Sequence, residues 1–201
     1  MLRIMLIALL LVPTALADDP KPEPKPEPLK YADYFDVAKG TQRTYTGASG
    51  EITVTIEKRV VKDGKVTMFV ALKQGEKTGR MVERVEKNGF YRGTIRGTQI
   101  FGSYFFKGPL AKTTVHSPVP GATMKIVSLD TVVAAGGKKY NCIVFQFSQK
   151  NAKFYFAKGV GMVLVTVDVK AGEETKTIDM VRLKTLVVPK PEEKKDPPKK
   201  D

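Results

Sequence analysis

The sequence has one cysteine, one histidine and no tryptophan among its 201 residues. With Cys142 alone, no intramolecular disulfide can form, and the strand-like run around this residue predicts a small buried side chain rather than a reactive nucleophile. Triads that use histidine as a base, and histidine-rich zinc sites, would both have to depend on His116. We expect His116 to lie in a loop, with no acidic neighbour in the sequence.

The acidic and glycine-rich segments also lack catalytic patterns. Glu83 and Glu86 are three positions apart, which places them on opposite faces of a strand. No loop has the Asp and Asn spacing of a calcium site. Residues 158–161 do not form a phosphate-binding loop, because no Lys-Ser/Thr follows, and we expect Gly159 and Gly161 to form a structural turn. We therefore expect a protein that is not an enzyme, without catalytic residues, metal or cofactor.

The amino terminus has the organisation of a cleavable signal peptide. Arg3 precedes an apolar run that ends in Ala-Leu-Ala, and this pattern predicts cleavage between Ala17 and Asp18. The apolar run is shorter than the roughly 20 residues that a membrane-spanning helix needs. We predict an exported protein, periplasmic or extracellular, whose mature chain has no transmembrane span.

Segments rich in Pro, Lys and Glu bracket the rest of the chain. Their composition favours extended or disordered backbone that cannot form a core. The predicted organisation is a signal peptide at 1–17, a linker at 18–30, a folded domain at 31–188 and a disordered basic tail at 189–201.

Most of the positive charge belongs to the predicted domain. The net charge of the chain is +13; Arg3 contributes +1, the linker −1 and the tail +1, which leaves +12 on the domain. Such a surface attracts polyanions. After export, lipids, anionic envelope polymers or another envelope protein are the expected partners. The sequence argues against nucleic acid, since it contains no recognition helix and no clear stripe of aromatic and basic residues.

Alternation of apolar and polar residues predicts an all-β domain. Residues 51–56 and 66–72 alternate regularly, and the Asp63-Gly64 turn between them is a strong hairpin signal. Asn88-Gly89 predicts a second hairpin. Consecutive hairpins indicate one antiparallel meander of about ten strands, which should curl into a barrel, half-barrel or sandwich to cover its apolar face.

Three segments, 34–45, 132–142 and 154–163, resemble a group of exported bacterial proteins. In that group the corresponding runs read YFPL-x-x-G-x-x-W-T-Y, V-x-V-P-A-G-x-Y-x-N-C-V and Y-Y-A-P-G-V-G-L-V. The present chain has Arg43 in place of the Trp, Ala134 and Lys158 in place of two Pro residues, and Met162 in place of a Leu. The group is similar, at the level of the fold, to the curled sheets of periplasmic lipoprotein carriers. The resemblance implies a curled sheet and no particular activity.

Two functional hypotheses remain open. One is an envelope binding or scaffolding module, with an apolar or lipid ligand held by the aromatic run Phe101, Tyr104, Phe105 and Phe106. The alternative is an adhesive module for anionic surfaces. That hypothesis uses a basic patch around the Asn88-Gly89 turn, formed by Arg80, Arg84, Lys87, Arg92 and Arg96.

Overall fold

The computed structural model describes residues 28–190, which form a short helix and twelve strands. Helix α1 spans Tyr31–Phe35, and a single 3-10 turn, Gln149–Asn151, separates β9 from β10. The strands are β1 (Gln42–Gly47), β2 (Gly50–Lys62), β3 (Lys65–Gln74), β4 (Lys77–Glu86), β5 (Gly89–Arg96), β6 (Gln99–Lys107), β7 (Val115–Val119), β8 (Ala122–Ala135), β9 (Lys138–Phe147), β10 (Ala152–Ala157), β11 (Gly161–Ala171) and β12 (Glu174–Val187).

All twelve strands belong to one antiparallel sheet. Their order is β6-β5-β4-β3-β2-β1-β12-β11-β10-β9-β8-β7, so β1 pairs with β12 as well as with β2. The predicted all-β meander is confirmed, with twelve strands instead of about ten. The Asp63-Gly64 and 158–161 turns connect the strands as expected. The hairpin predicted at Asn88-Gly89 also forms, but its turn residues are Lys87 and Asn88, and Gly89 begins β5.

The sheet curls until its two edge strands, β6 and β7, face each other without forming a backbone ladder. The His116 ring nitrogen Nε2 lies 3.1 Å from the Tyr104 carbonyl oxygen, and the His116 and Phe106 rings meet edge to face. The expectation that His116 lies in a loop is wrong: it belongs to β7 and pairs with Met124 of β8. The barrel is therefore nearly closed, and side chains join its seam.

Helix α1 closes one end of the barrel. Phe35 is buried, stacks on Phe90 with ring centroids 4.2 Å apart, and also contacts Phe145 and Phe156. The Tyr31 hydroxyl donates a hydrogen bond to the Gly108 carbonyl oxygen at 2.8 Å. The helix is too short to be stable by itself, so these aromatic contacts must hold it in place.

Further contacts tie the segment around α1 to the rim of the barrel. The Arg59 guanidinium binds both carboxylate oxygens of Asp36, at 2.7 and 2.6 Å. The Gly159 amide donates to the Asp33 carbonyl oxygen at 2.8 Å. Leu29, from the segment predicted as a linker, also packs against the core. Together these contacts leave the opposite end of the barrel as the place where an interior cavity can open.

Candidate functional site

An apolar cavity of about 390 Å³ lies inside the barrel, at the end away from α1. This volume falls in the range of about 300–1,000 Å³ that is typical of small-molecule sites. The strands that supply its wall are β1 to β5, β11 and β12. The lining residues are Arg43, Tyr45, Ile52, Val54, Leu72, Gln74, Lys77, Thr78, Gly79, Met81, Glu83, Arg92, Met162 and Val181.

Strand register explains why the wall is mostly apolar. Tyr45 lies opposite Ile52 and Leu72 lies opposite Val54, so alternate residues of β1, β2 and β3 point to the interior. The Tyr45 hydroxyl donates to the Met162 carbonyl oxygen at 2.9 Å. Burial raises the pKa of Tyr45 and outweighs the opposing effect of the nearby Arg43 charge, so the hydroxyl stays neutral at ordinary pH. The part of the cavity wall formed by Tyr45, Ile52 and Leu72 is therefore apolar and uncharged.

Arg43 lies at the base of this cavity and is 4% exposed. Its Nη1 donates to the Val160 carbonyl oxygen at 3.2 Å, while its Nε has no hydrogen-bond partner among residues 28–190. Within the same residues, no carboxylate lies within 4 Å of the guanidinium. A buried cation without a counter-ion is costly, so this position calls for a partner.

An ion pair between Glu83 and Arg92 lines the same cavity as Arg43. Glu83 of β4 is directly opposite Arg92 of β5, and its Oε1 accepts bonds from Arg92 Nε at 3.0 Å and from Nη2 at 2.7 Å. Glu83 is 3% exposed, so the pair is only partly open to solvent through Arg92. Two guanidinium groups and one carboxylate leave one uncompensated positive charge at the base of the cavity.

A smaller cavity of about 250 Å³ lies along the seam. Its wall includes Phe105, Phe147 and Phe154 from the inner face, with Val119 of β7 near the open end. Arg92 lines both cavities, which places the Glu83–Arg92 pair between them.

The structure separates the four aromatic residues predicted to bind a ligand. Phe105 lines the seam cavity, whereas Phe106 is fully buried and packs on Phe145. Tyr104 faces outward, and its hydroxyl donates to Glu86 at 2.8 Å, a bond that raises the pKa of Tyr104. Phe101 is 53% exposed near the open end. A bulge leaves Phe105 unpaired opposite the Phe90/Tyr91 step, which brings Phe105 and Phe106 to the same side.

The five basic residues predicted to form one patch do not share a face. Glu83 pairs with Arg92 and Arg84 pairs with Tyr91, so even-numbered residues of β4 oppose odd-numbered residues of β5. Arg80 and Arg84 therefore lie on the outer face, while Arg92 and Arg96 lie on the inner side of β5. The fifth residue, Lys87, occupies the exposed turn between these strands.

The glycines and the cysteine singled out in the sequence lie in structural positions. Gly159 and Gly161 have φ values of +68° and +84° in the β10–β11 turn, a backbone conformation that favours glycine. Cys142 is fully buried, and burial raises the pKa of its thiol to about 12, so it remains protonated. Ala17 and Asp18 lie outside the described residues, and the cleavage site stays a prediction.

The sequence patterns did not indicate the residues that form the cavity base. In the sequence, Arg43 is distinguished only by its replacement of a motif Trp, and Glu83 only by its spacing from Glu86. In the structure these two carboxylates have different partners, since Glu83 faces Arg92 whereas Glu86 faces Lys65 and Tyr104. The predicted turn did not indicate this pair either: counting outward from Asn88-Gly89 places Glu83 opposite Thr94, whereas the turn residues are Lys87 and Asn88, and Glu83 lies opposite Arg92.

Within residues 28–190, no cluster of three or more His, Cys, Asp or Glu side chains could hold a metal ion. In the same part of the chain, no helix is long and apolar enough to cross a membrane.

The fold is similar to that of a crystal structure from Bacteroides fragilis, of a predicted exported protein with a YmcC-like fold. The match covers 79% of this chain and 100% of the other, at 10% sequence identity and a TM-score of 0.52. At this identity, the similarity extends to the fold alone.

A predicted lipoprotein from Parabacteroides distasonis aligns over 77% of this chain and 99% of its own, at 9% identity and a TM-score of 0.46. No family model matches the sequence, and no curated protein matches it either. The motif resemblance to exported bacterial proteins therefore remains a prediction.

Proposed function

We propose that this chain is an exported, non-catalytic envelope module that binds an apolar ligand inside its barrel. The observation that supports this proposal most strongly is the cavity of about 390 Å³, with its apolar wall and its few polar groups at the base. A sheet that only formed a scaffold would be expected to fill its interior with side chains. The signal-peptide pattern of residues 1–17 supports export.

The adhesive alternative has less support. Arg92 is neutralised by Glu83, and Arg96 lies over the Phe101 ring. Only Arg80 and Arg84 remain on the outer face of the same hairpin, and Arg80 lies 3.9 Å from Glu57. The overall positive charge of the domain would then assist encounter with anionic membranes, while the interior would hold the ligand.

Blocking the cavity is expected to weaken this binding strongly. Gly79 lines the open end, or mouth, of the cavity next to the β3–β4 turn. A Cβ at this position would meet only Leu72, at 3.8 Å. A Gly79→Phe variant should therefore fold and place its ring in the space that a ligand would occupy. We expect at least about tenfold weaker binding of the neutral fluorescent probe N-phenyl-1-naphthylamine, measured by titration, which corresponds to about 1.4 kcal/mol.

The matched control is Lys73→Phe, which adds the same ring to the outer face of the neighbouring strand, opposite Thr78. This variant should bind the probe as the wild type does. Failure of the wild-type protein to bind the probe saturably, or equal loss in both variants, would refute an interior site.

A further inference from the structure

We propose that the interior ligand is a single-chain amphiphile with a carboxylate head, bound head-inward against Arg43. This inference rests on the proposed function, since it requires that the cavity binds a ligand. It adds the chemical class of the ligand and its orientation.

The buried guanidinium of Arg43 is the group that would bind the carboxylate head. Its side chain is more than nine-tenths buried, it lines the cavity, and its Nε lacks a partner among residues 28–190. Guanidinium groups bind carboxylates through paired, charge-assisted hydrogen bonds. Its Nη1 donates to the Val160 carbonyl oxygen, and the unused Nε leaves donor capacity for a ligand.

The neighbouring carboxylate does not satisfy Arg43. Both bonds that Glu83 accepts come from Arg92, and no ion pair forms between Glu83 and Arg43. Tyr45 cannot supply a negative charge either, because burial raises its pKa. The base therefore retains one net positive charge, which one carboxylate would neutralise. A phosphate monoester carries about −1.5 to −2 at neutral pH and would leave excess negative charge.

Polarity along the cavity sets the orientation. The arginines lie at the base, and the wall above them is formed by apolar side chains such as Ile52, Leu72 and Met81. Gln74, Lys77 and Thr78 surround the mouth, at the β3–β4 turn. A ligand with an acidic head and one apolar chain would match this order, with the head at Arg43 and the chain toward the mouth.

The test compares dodecanoic acid, dodecanol and dodecyl phosphate by displacement of N-phenyl-1-naphthylamine from the full mature chain. We expect the wild type to bind dodecanoic acid tightest. An Arg43→Met variant should lose about 10- to 100-fold in affinity for the acid, the range expected for hydrogen bonds to a charged group. Its affinity for dodecanol should change little. An Arg80→Met variant on the outer face is the matched control and should behave as the wild type.

A second variant, Glu83→Gln, keeps the proposal testable if Arg43→Met fails to fold. Glu83→Gln removes the competing carboxylate and raises the net charge of the base, so it should bind dodecanoic acid several-fold tighter, an effect that damage to the fold would not produce. Equal affinities of wild type and Arg43→Met for the acid, or tighter binding of dodecyl phosphate, would overturn the carboxylate proposal. Dodecanol binding would still support the proposed function in that case, whereas the absence of any binding would refute both.

Discussion

Replacing Phe35 with alanine is expected to lower the free energy of unfolding by about 3–5 kcal/mol, the usual cost of truncating a buried aromatic side chain. Phe35 is 2% exposed and contacts three buried rings of the barrel, those of Phe90, Phe145 and Phe156, in addition to Tyr31 of its own helix. It comes from a helix of only five residues, so nothing else in α1 could refill the space. Urea denaturation followed by circular dichroism measures the loss.

The control is Phe101→Ala, which removes the same ring from a side chain that is 53% exposed. This change should shift stability by less than about 0.5 kcal/mol, as is usual for surface sites. Similar effects of the two substitutions would contradict the burial of Phe35 in the core at the end of the barrel that α1 closes.

Gly161→Ala should also be strongly destabilising, by about 3 kcal/mol, because a backbone effect and a steric effect combine. Its φ of +84° alone makes alanine unfavourable by about 1–2 kcal/mol. In addition, a Cβ at Gly161 would collide with Nη1 of Arg43. Arg43 would have to give up its bond to Val160, and losing a buried hydrogen bond of a charged group costs about 1.5–3 kcal/mol.

A Gly159→Ala variant measures the backbone contribution without the steric one. Gly159 has a similar φ of +68°, but nothing lies within 4 Å of the position that a Cβ would occupy there. Gly159→Ala should therefore cost only the backbone share, about 1–2 kcal/mol. Thermal unfolding of the two variants gives the comparison, and equal losses would show that Arg43 does not pack against Gly161.

The strand pattern was predictable because local residues determine it. Alternation over 66–72 identified the inward set of β3, where Val66, Met68 and Val70 are buried. The Asp63-Gly64 turn fixed the pairing of β2 with β3, whereas Asn88-Gly89 indicated the β4–β5 hairpin but not its register, because the turn residues are Lys87 and Asn88. Alternation and turn residues depend on neighbours a few positions apart. In a meander each strand pairs with the next one in the sequence, so these local patterns are enough to predict most of the strand order.

Helix α1 was not predictable in the same way. Five residues are too few to show helical periodicity, and α1 exists because its rings find partners more than fifty positions away in β5 and β10. Hydropathy also could not show that Arg43 and Glu83 face inward, because a charged residue in a strand ordinarily faces solvent. The bulge beside Phe105 depends on the pairing of β5 with β6, so no local pattern indicates it.

The measurement that tests an acid-binding barrel most directly is a crystal structure of the protein with ω-bromododecanoic acid. The anomalous signal of bromine locates the end of the chain independently of the head. We predict the bromine near Lys77 and Thr78 at the mouth, with the carboxylate beside Arg43 at the base. Bromine beside Arg43, or a ligand bound only outside the barrel, would contradict the proposal.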